Sequence, residues 1–384
     1  TYKENVTIPA STVISSSDPD DPSVVMATVI EGDGTGPVVT MKRASTLEGF
    51  TIQGGTTGIL FEGEHQIVSK NRITDNTGPG IRGPGSVDSN FKYLAYSGWA
   101  GTIVDNEIFA NQSPGPGGGI SIASTYSSIG RDDEMIARNK IYENSASDGG
   151  GIYCKRAESL ITDNSIEKNV ASRKGGGIYI DDFSAASAID NIVSENSATS
   201  DGGGIYIQTF SGRMTGNDVL NNSSTAGSGG GLAFFWGSGQ LEGNVFSGNS
   251  ANRYGGGIDG YELTGKLADN VILGNSSRYQ GGGFYLNALK GTLDGNQIEN
   301  NQGSKGGGGY VHNTYPESVI TNNTVTGNTA RLSCGGLYLG YTWSTGGLSL
   351  ADFSGNSVTG NTVTEPEVGD STPIDICNKW GESY

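Results

Sequence analysis

Two kinds of side chain in this sequence carry chemistry, and both recur at a fixed interval. The first kind is charged. Lys155 and Arg156 stand one interval before Asp181 and Asp182, and Asp259 stands three residues before Glu262. Aspartate facing lysine or arginine suits β-elimination, in which a base takes a proton and a cation neutralises the developing charge. A carboxyl pair suits glycoside hydrolysis, although adjacency in sequence does not fix the separation that reaction requires. Salt bridges between successive repeats account for the same charges without any catalysis.

The second kind is aromatic. One row of aligned positions runs Tyr153, Tyr179, Tyr206, Ala233, Asp259, Tyr285, Tyr310, Tyr338, and the next runs Lys155, Asp181, Gln208, Phe235, Tyr261, Asn287, His312. Aromatic faces that pack on sugar rings, with sparse amides, carboxylates and imidazoles for the hydroxyls, make a common binding-site composition. Tyrosines stacked one strand spacing apart also stabilise a repeat with no ligand at all. The interruption at Ala233 and Asp259 is the most site-like position. With Trp99, Trp236 and Trp343, which follow the same segment in their repeats, Tyr179, Tyr206, Phe235, Tyr261, Tyr310 and His312 are the candidate ligand contacts.

These positions are set by a repeat. Triple glycine begins at Gly117, Gly149, Gly175, Gly202, Gly229, Gly255, Gly281 and Gly306, mostly 26 or 27 residues apart, and degenerates to Cys334-Gly335-Gly336. In phase with it run eleven Asn pairs five residues apart, from Asn71/Asn76 through Asn217/Asn222 to Asn356/Asn361. After each triple glycine apolar residues alternate, as in Ile178 and Ile180 or Ile205 and Ile207, and period two means strand. Further apolar rows lie three residues before and two after the first Asn, as in Met214 and Val219. No helical stripe fits between these strands, and glycine would oppose one. Units that bury a face only against their neighbours form a solenoid. The expectation is an all-β, single-stranded right-handed parallel β-helix of about 12–13 coils over residues 1–361, with a capping tail over 362–384. Residues 1–52 read as irregular early coils with strand-like runs at Glu4 to Ile8, Val24 to Ile30, Pro37 to Met41 and Leu47 to Ile52, and Phe50 in the ladder position. The Asn pairs read as structural ladders, with amides bonding neighbours above and below. Six Asn, including Asn5, Asn111 and Asn221, also begin glycosylation sequons.

Composition fits a phased repeat: the chain has 64 glycines, and only 16% of its residues are charged. A net charge of −17 opposes binding to the phosphates of nucleic acid. No apolar run approaches a membrane span. The opening Thr1-Tyr2-Lys3-Glu4 reads as cut into a strand, so a leader or cap is expected before it. Two histidines, His65 and His312, support neither a His-based triad nor a multi-His zinc site. Asp18, Asp20 and Asp21 in the turn from Ser15 to Ser23 admit a weak calcium site, though their spacing matches no known loop and a solvated acidic turn is the better reading. Otherwise no metal or cofactor is expected. Cys154 falls on an inward row and reads as an inert buried thiol. Cys334 and Cys377 form either a disulfide clamping the tail, which implies an oxidising compartment, or two free thiols. Three enlarged turns, at 83–100, 123–134 and 340–349, fall on one edge and read as the raised ends of a trough.

The repeat resembles that of the polymorphic outer-membrane (Pmp-type) surface proteins and their relatives in the pectate-lyase-like superfamily. Their Gly-Gly-Ala-Ile appears here as Gly-Gly-Gly-Ile, and their Phe-x-x-Asn survives as Phe246-Ser247-Gly248-Asn249. The likeness covers about residues 47–361. It implies secretion and adhesion at the cell surface; no translocator barrel is read in the stretch after the repeats, so autotransport by this chain itself is not expected. The expected function is an extracellular β-helix that binds a polysaccharide or surface glycoprotein along its aromatic face, with adhesion or surface structure placed ahead of catalysis. A polysaccharide lyase or glycoside hydrolase in the same groove is the second reading. Self-association into a filament or surface layer is the third.

Overall fold

The computed structural model describes residues 3–83, 100–123, 135–155, 160–181, 187–341, 352–366 and 375–378. It comprises two compact units, Thr1–Ile192 and Val193–Tyr384. Each is a stack of parallel β coils.

In the first unit the strands after the glycine turn stack in parallel: Val6–Ile8, Pro37–Lys42, Thr57–Glu62, Ile81–Arg82, Ile120–Ala123, Ile152–Lys155 and Ile178–Asp181. In the second the corresponding strands are Ile205–Phe210, Leu232–Gly237, Ile258–Leu263, Phe284–Leu289, Gly309–Thr314, Leu337–Tyr341 and Ile376–Asn378. Each unit carries two further sheets from the Asn segment. One of these has seven strands in the first unit and six in the second, in agreement with a coil count of about thirteen. A fourth sheet of mostly two-residue strands, such as Ser223–Ser224 and Ser250–Ala251, follows the second Asn of each pair from Asn139/Asn144 onward. The repeat pattern did not predict this sheet, because two residues are too few to show a period.

Inward rows of Ile, Leu, Val and Phe fill each coil. Phe246, Phe284, Ile73 and Ile103 are fully buried, and each such side chain contributes roughly 1.5–3 kcal/mol of transfer free energy. The glycines let the coils close. Gly202 has φ +69°, and a Cβ there would lie 2.8 Å from the Tyr206 Cβ; a Cβ on Gly204 would lie 2.8 Å from the carbonyl oxygen of Gly231 in the next coil. A side chain at Gly202 would strain the turn of its own coil, and one at Gly204 would force successive coils apart.

The Asn pairs form the expected ladders. In the second unit Asn222 donates its backbone N–H to Asn249 Oδ1 at 2.9 Å and its amide to the same oxygen at 3.1 Å, and the pattern repeats through Asn275, Asn301 and Asn328 to Asn361. In the first, Asn106, Asn139 and Asn164 do the same, and Phe50 N–H donates to Asn71 Oδ1, which puts Phe50 at the ladder position as expected. Asn111, Asn222 and Asn275 are buried in the ladders, so their sequons are closed to a glycosyl transferase as folded.

The segment read as a strand from Val24 to Ile30 is corrected. Pro22–Ala27 is a helix, and only Val29–Glu31 is a strand. Asp21 is the N-cap, accepting from the Ser23 N–H at 2.8 Å, and Pro22 pre-sets the first helical φ. Asp20 pairs with Lys70 at 2.8 Å, so two of the three acidic residues of this turn hold the fold. Cys334 and Cys377 form a disulfide, with Cα atoms 5.8 Å apart, while Cys154 is free and buried. The tail therefore supplies Ile376–Asn378 as a further strand, with Tyr338 opposite Cys377. No described helix is long and apolar enough to cross a membrane.

Candidate functional site

In the second unit the glycine strand carries three outward rows. The first starts one residue after the inward Ile, Leu or Phe that follows the triple glycine: Tyr206, Ala233, Asp259, Tyr285, Tyr310, Tyr338 in register. The expected floor of exposed tyrosines differs from what is found. Tyr179 in the first unit, and Tyr206 and Tyr310 in the second, are buried. The cause is the turn itself, because the left-handed glycine that opens each strand folds back against the tyrosine Cβ of its own coil. The rings also cover one another: Tyr285 stacks on Tyr310 at 5.5 Å and Tyr310 on Tyr338 at 4.2 Å, while Tyr153 stacks on Tyr179 at 5.2 Å. These tyrosines hold the wall together, and Tyr153, Tyr179, Tyr206 and Tyr310 are closed to a ligand, while Tyr285 and Tyr338 keep some exposure.

The second and third rows are open. The strands turn a corner after Phe234 and Gly260, so that two consecutive residues face outward: Phe235 and Trp236 in one coil, Tyr261 and Glu262 in the next. Phe235, Trp236 and Tyr261 are 39%, 48% and 47% exposed, large values for apolar rings in a folded chain. Phe235 and Tyr261 stack at 4.5 Å with planes 9° apart, and Trp236 meets Phe235 edge-on at 4.6 Å. Exposed Gln208 precedes this pair in register; Asn287 and exposed His312 follow it.

Beside this platform lies Asp259, where the tyrosine row is interrupted by Ala233. Asp259 keeps some contact with solvent, yet its carboxyl lies well above the usual carboxylate range. Desolvation is the main cause, the negative charge of Asp201 adds to it, and Arg253 opposes it. Tyr285, opposite Asp259 in the next coil, is raised as well, through burial and that same carboxyl. Tyr254 stacks on Tyr285 at 4.9 Å, and the Arg253 guanidinium lies over the Tyr254 ring, 5.6 Å from its centroid.

Glu262 is not the partner of Asp259. It is ion-paired with Lys290 at 3.0 Å, whereas the charge acting on Asp259 comes from Asp201. Asp201 and Tyr254 were missed by the sequence reading. Both directly precede a triple glycine, a position the strand pattern leaves in a turn. Asp201 also accepts from the Ser228 N–H at 3.1 Å, a role in closing the next turn. Lys155 and Asp181 are opposite one another in register. Arg156, Asp182, Trp99, Trp343 and most of the three enlarged turns lie outside the described residues, as does the side chain of Asp181. Among the described residues no cluster of His, Cys, Asp and Glu could hold a metal ion.

A family model for a right handed beta helix region matches residues 98–251. No curated protein and no solved structure matches the chain. With the parallel sheets of both units, the match makes this a right-handed parallel β-helix repeat protein. That fold is used by surface and structural proteins and by polysaccharide-active enzymes, and it does not choose between them.

Proposed function

We propose that this β-helix binds a glycan through Phe235, Trp236 and Tyr261, as an extracellular or cell-surface protein with an adhesive or structural role. The observation that carries the reading is the exposed, mutually stacked trio. Three large rings left in water are a cost unless a ligand covers them, and their polar neighbours Gln208, Asn287 and His312 suit hydroxyls. The resemblance of the repeat to Pmp-type surface proteins supports adhesion, and the Cys334–Cys377 disulfide supports an oxidising compartment. A glycan array with the intact chain tests the reading. Binding that weakens on Phe235→Ala, with the fold retained, is the expected result; no binding to any glycan overturns it.

A second reading has its own observation. A carboxyl whose pKa is raised can serve as a general acid, and Asp259, raised by desolvation and by the charge of Asp201, is the candidate for that role. Loss of turnover of a polysaccharide on Asp259→Asn would replace the binding reading with an enzymatic one.

A further inference from the structure

The second outward row contains a gap of a definite size. Its residues are Phe235, Tyr261, Asn287 and His312 in four successive coils, held in register by the flanking pairs Gly260 with Leu286 and Leu286 with Val311. The Tyr261 ring lies across the stacking direction of the coils, because it is parallel to Phe235 at about the strand spacing. The His312 ring is only 18° from Tyr310, which is itself stacked flat on Tyr338. The two rings are therefore near-parallel walls two strand spacings apart, roughly 9.5 Å. A ring placed midway would lie about 4.8 Å from each, inside the range in which flat faces stack. Between the walls stands Asn287, half-buried, with a side-chain amide that makes no hydrogen bond to the described residues. On one side the slot is closed by Tyr285, locked in the stack between Tyr254 and Tyr310. On the other it opens over Ala288, which is buried and short.

The geometry points to a slot that takes one uncharged hexopyranose at the end of a glycan chain, sandwiched edge-first between Tyr261 and His312 and hydrogen-bonded at its inner edge by Asn287. The inference rests on the glycan-binding reading above and gives it a ligand class. The walls supply apolar faces for the C–H faces of a sugar ring, and the amide supplies one donor group and one acceptor for hydroxyls. A dead end at Tyr285 selects a chain terminus, since an internal sugar would need an exit on both sides. Glu262, on the strand of Tyr261, and Lys290, directly after the strand of Asn287, are satisfied by each other at 3.0 Å. Lys290 is thus no free counter-charge for an ionic sugar, and an uncharged one meets no penalty from this pair.

The test uses the intact chain and a panel of neutral linear hexaoses built from glucose, mannose, galactose and N-acetylglucosamine, with the matching methyl monosaccharides as competitors. Asn287→Phe fills the slot with a ring that continues the Phe235–Tyr261 stack, so it should keep the melting temperature while lowering hexaose affinity at least tenfold. The methyl glycoside of the terminal sugar should compete. His312→Ala, which removes one wall without filling the slot, should weaken binding in the same direction. If Asn287→Phe and His312→Ala both bind as the parent does while Trp236→Ala does not, the slot is wrong and the platform reading stands. If no hexaose binds the parent chain, the slot is wrong, and the platform reading fails with it only when the glycan array shows no binding either.

Discussion

Asn361 donates both its backbone N–H, at 3.2 Å, and its side-chain amide, at 2.8 Å, to the same Oδ1 of Asp375. In the second unit the rungs from Asn196 to Asn328 each end on an asparagine oxygen one coil on. Here a carboxylate from the tail takes that place, two residues before the cysteine that bonds Cys334. The tail therefore completes the hydrogen bonding of the last coil as well as covering it. Asp375→Ala leaves the backbone N–H of Asn361 without its acceptor, while the side-chain amide keeps the Val325 and Thr359 carbonyls, and is expected to cost about 1–3 kcal/mol. Hydrogen exchange should show the loss concentrated near Asn361, because coils of a solenoid contact only their neighbours.

Asn244→Ala removes a rung from the interior of a ladder. Its oxygen accepts the backbone N–H of Asn217 at 3.0 Å and the Asn217 amide at 2.9 Å, and its own amide donates to the Met214 carbonyl at 2.9 Å. All are buried, so a loss of at least about 1–3 kcal/mol is expected in chemical unfolding. An unchanged midpoint would mean that water replaces the rung at no cost.

Cys377→Ser opens a loop closed across 43 residues. A disulfide of this span typically contributes about 2–4 kcal/mol. The expected outcome is a lower unfolding midpoint that matches the parent protein under reducing conditions, with the first unit's exchange protection unaltered.

Asp259 gives a pH dependence of known sign. Its folded pKa is raised, first by desolvation and then by Asp201, so the folded state holds the proton more tightly than the unfolded one. At pH below the ordinary aspartate value both states are protonated and the group costs nothing. As pH rises from that value through the raised one, stability falls, and it stays lower above it. Asp259→Asn should remove this decline, seen as a flatter plot of melting temperature against pH upward from the ordinary aspartate value.

Tyr261→Ala takes one face from the platform and one wall from the slot. Because the side chain is nearly half exposed, the fold should be retained. Glycan affinity, measured by titration calorimetry, should fall by about 1 kcal/mol or more.

The sequence by itself determined the coil. The phased Gly202-Gly203-Gly204 and Asn217/Asn222 spacings, with period-two Ile205 and Ile207, require strands that repeat in register, and elementary hydrogen-bond accounting then requires the Asn ladder. It also located Phe235, Trp236, Tyr261 and Asp259 on one segment. The helix at Pro22–Ala27 was written there too, in Asp21 and Pro22, but Val24 and Val25 carry no period in so short a run. What only the tertiary structure decided is which outward residues are open. Tyr206 and Tyr261 both point away from the core in a period-two reading, yet one is covered by the left-handed turn at Gly202 and the other stands beyond the corner of its strand. Stacking between coils likewise imposes a left-handed backbone on Arg138 and Lys168, residues with no local preference for it. The partnership of Asp259 with Asp201 is of the same kind. It joins residues 58 positions apart in the chain, and only the depth of the stack brings their charges to bear on one another.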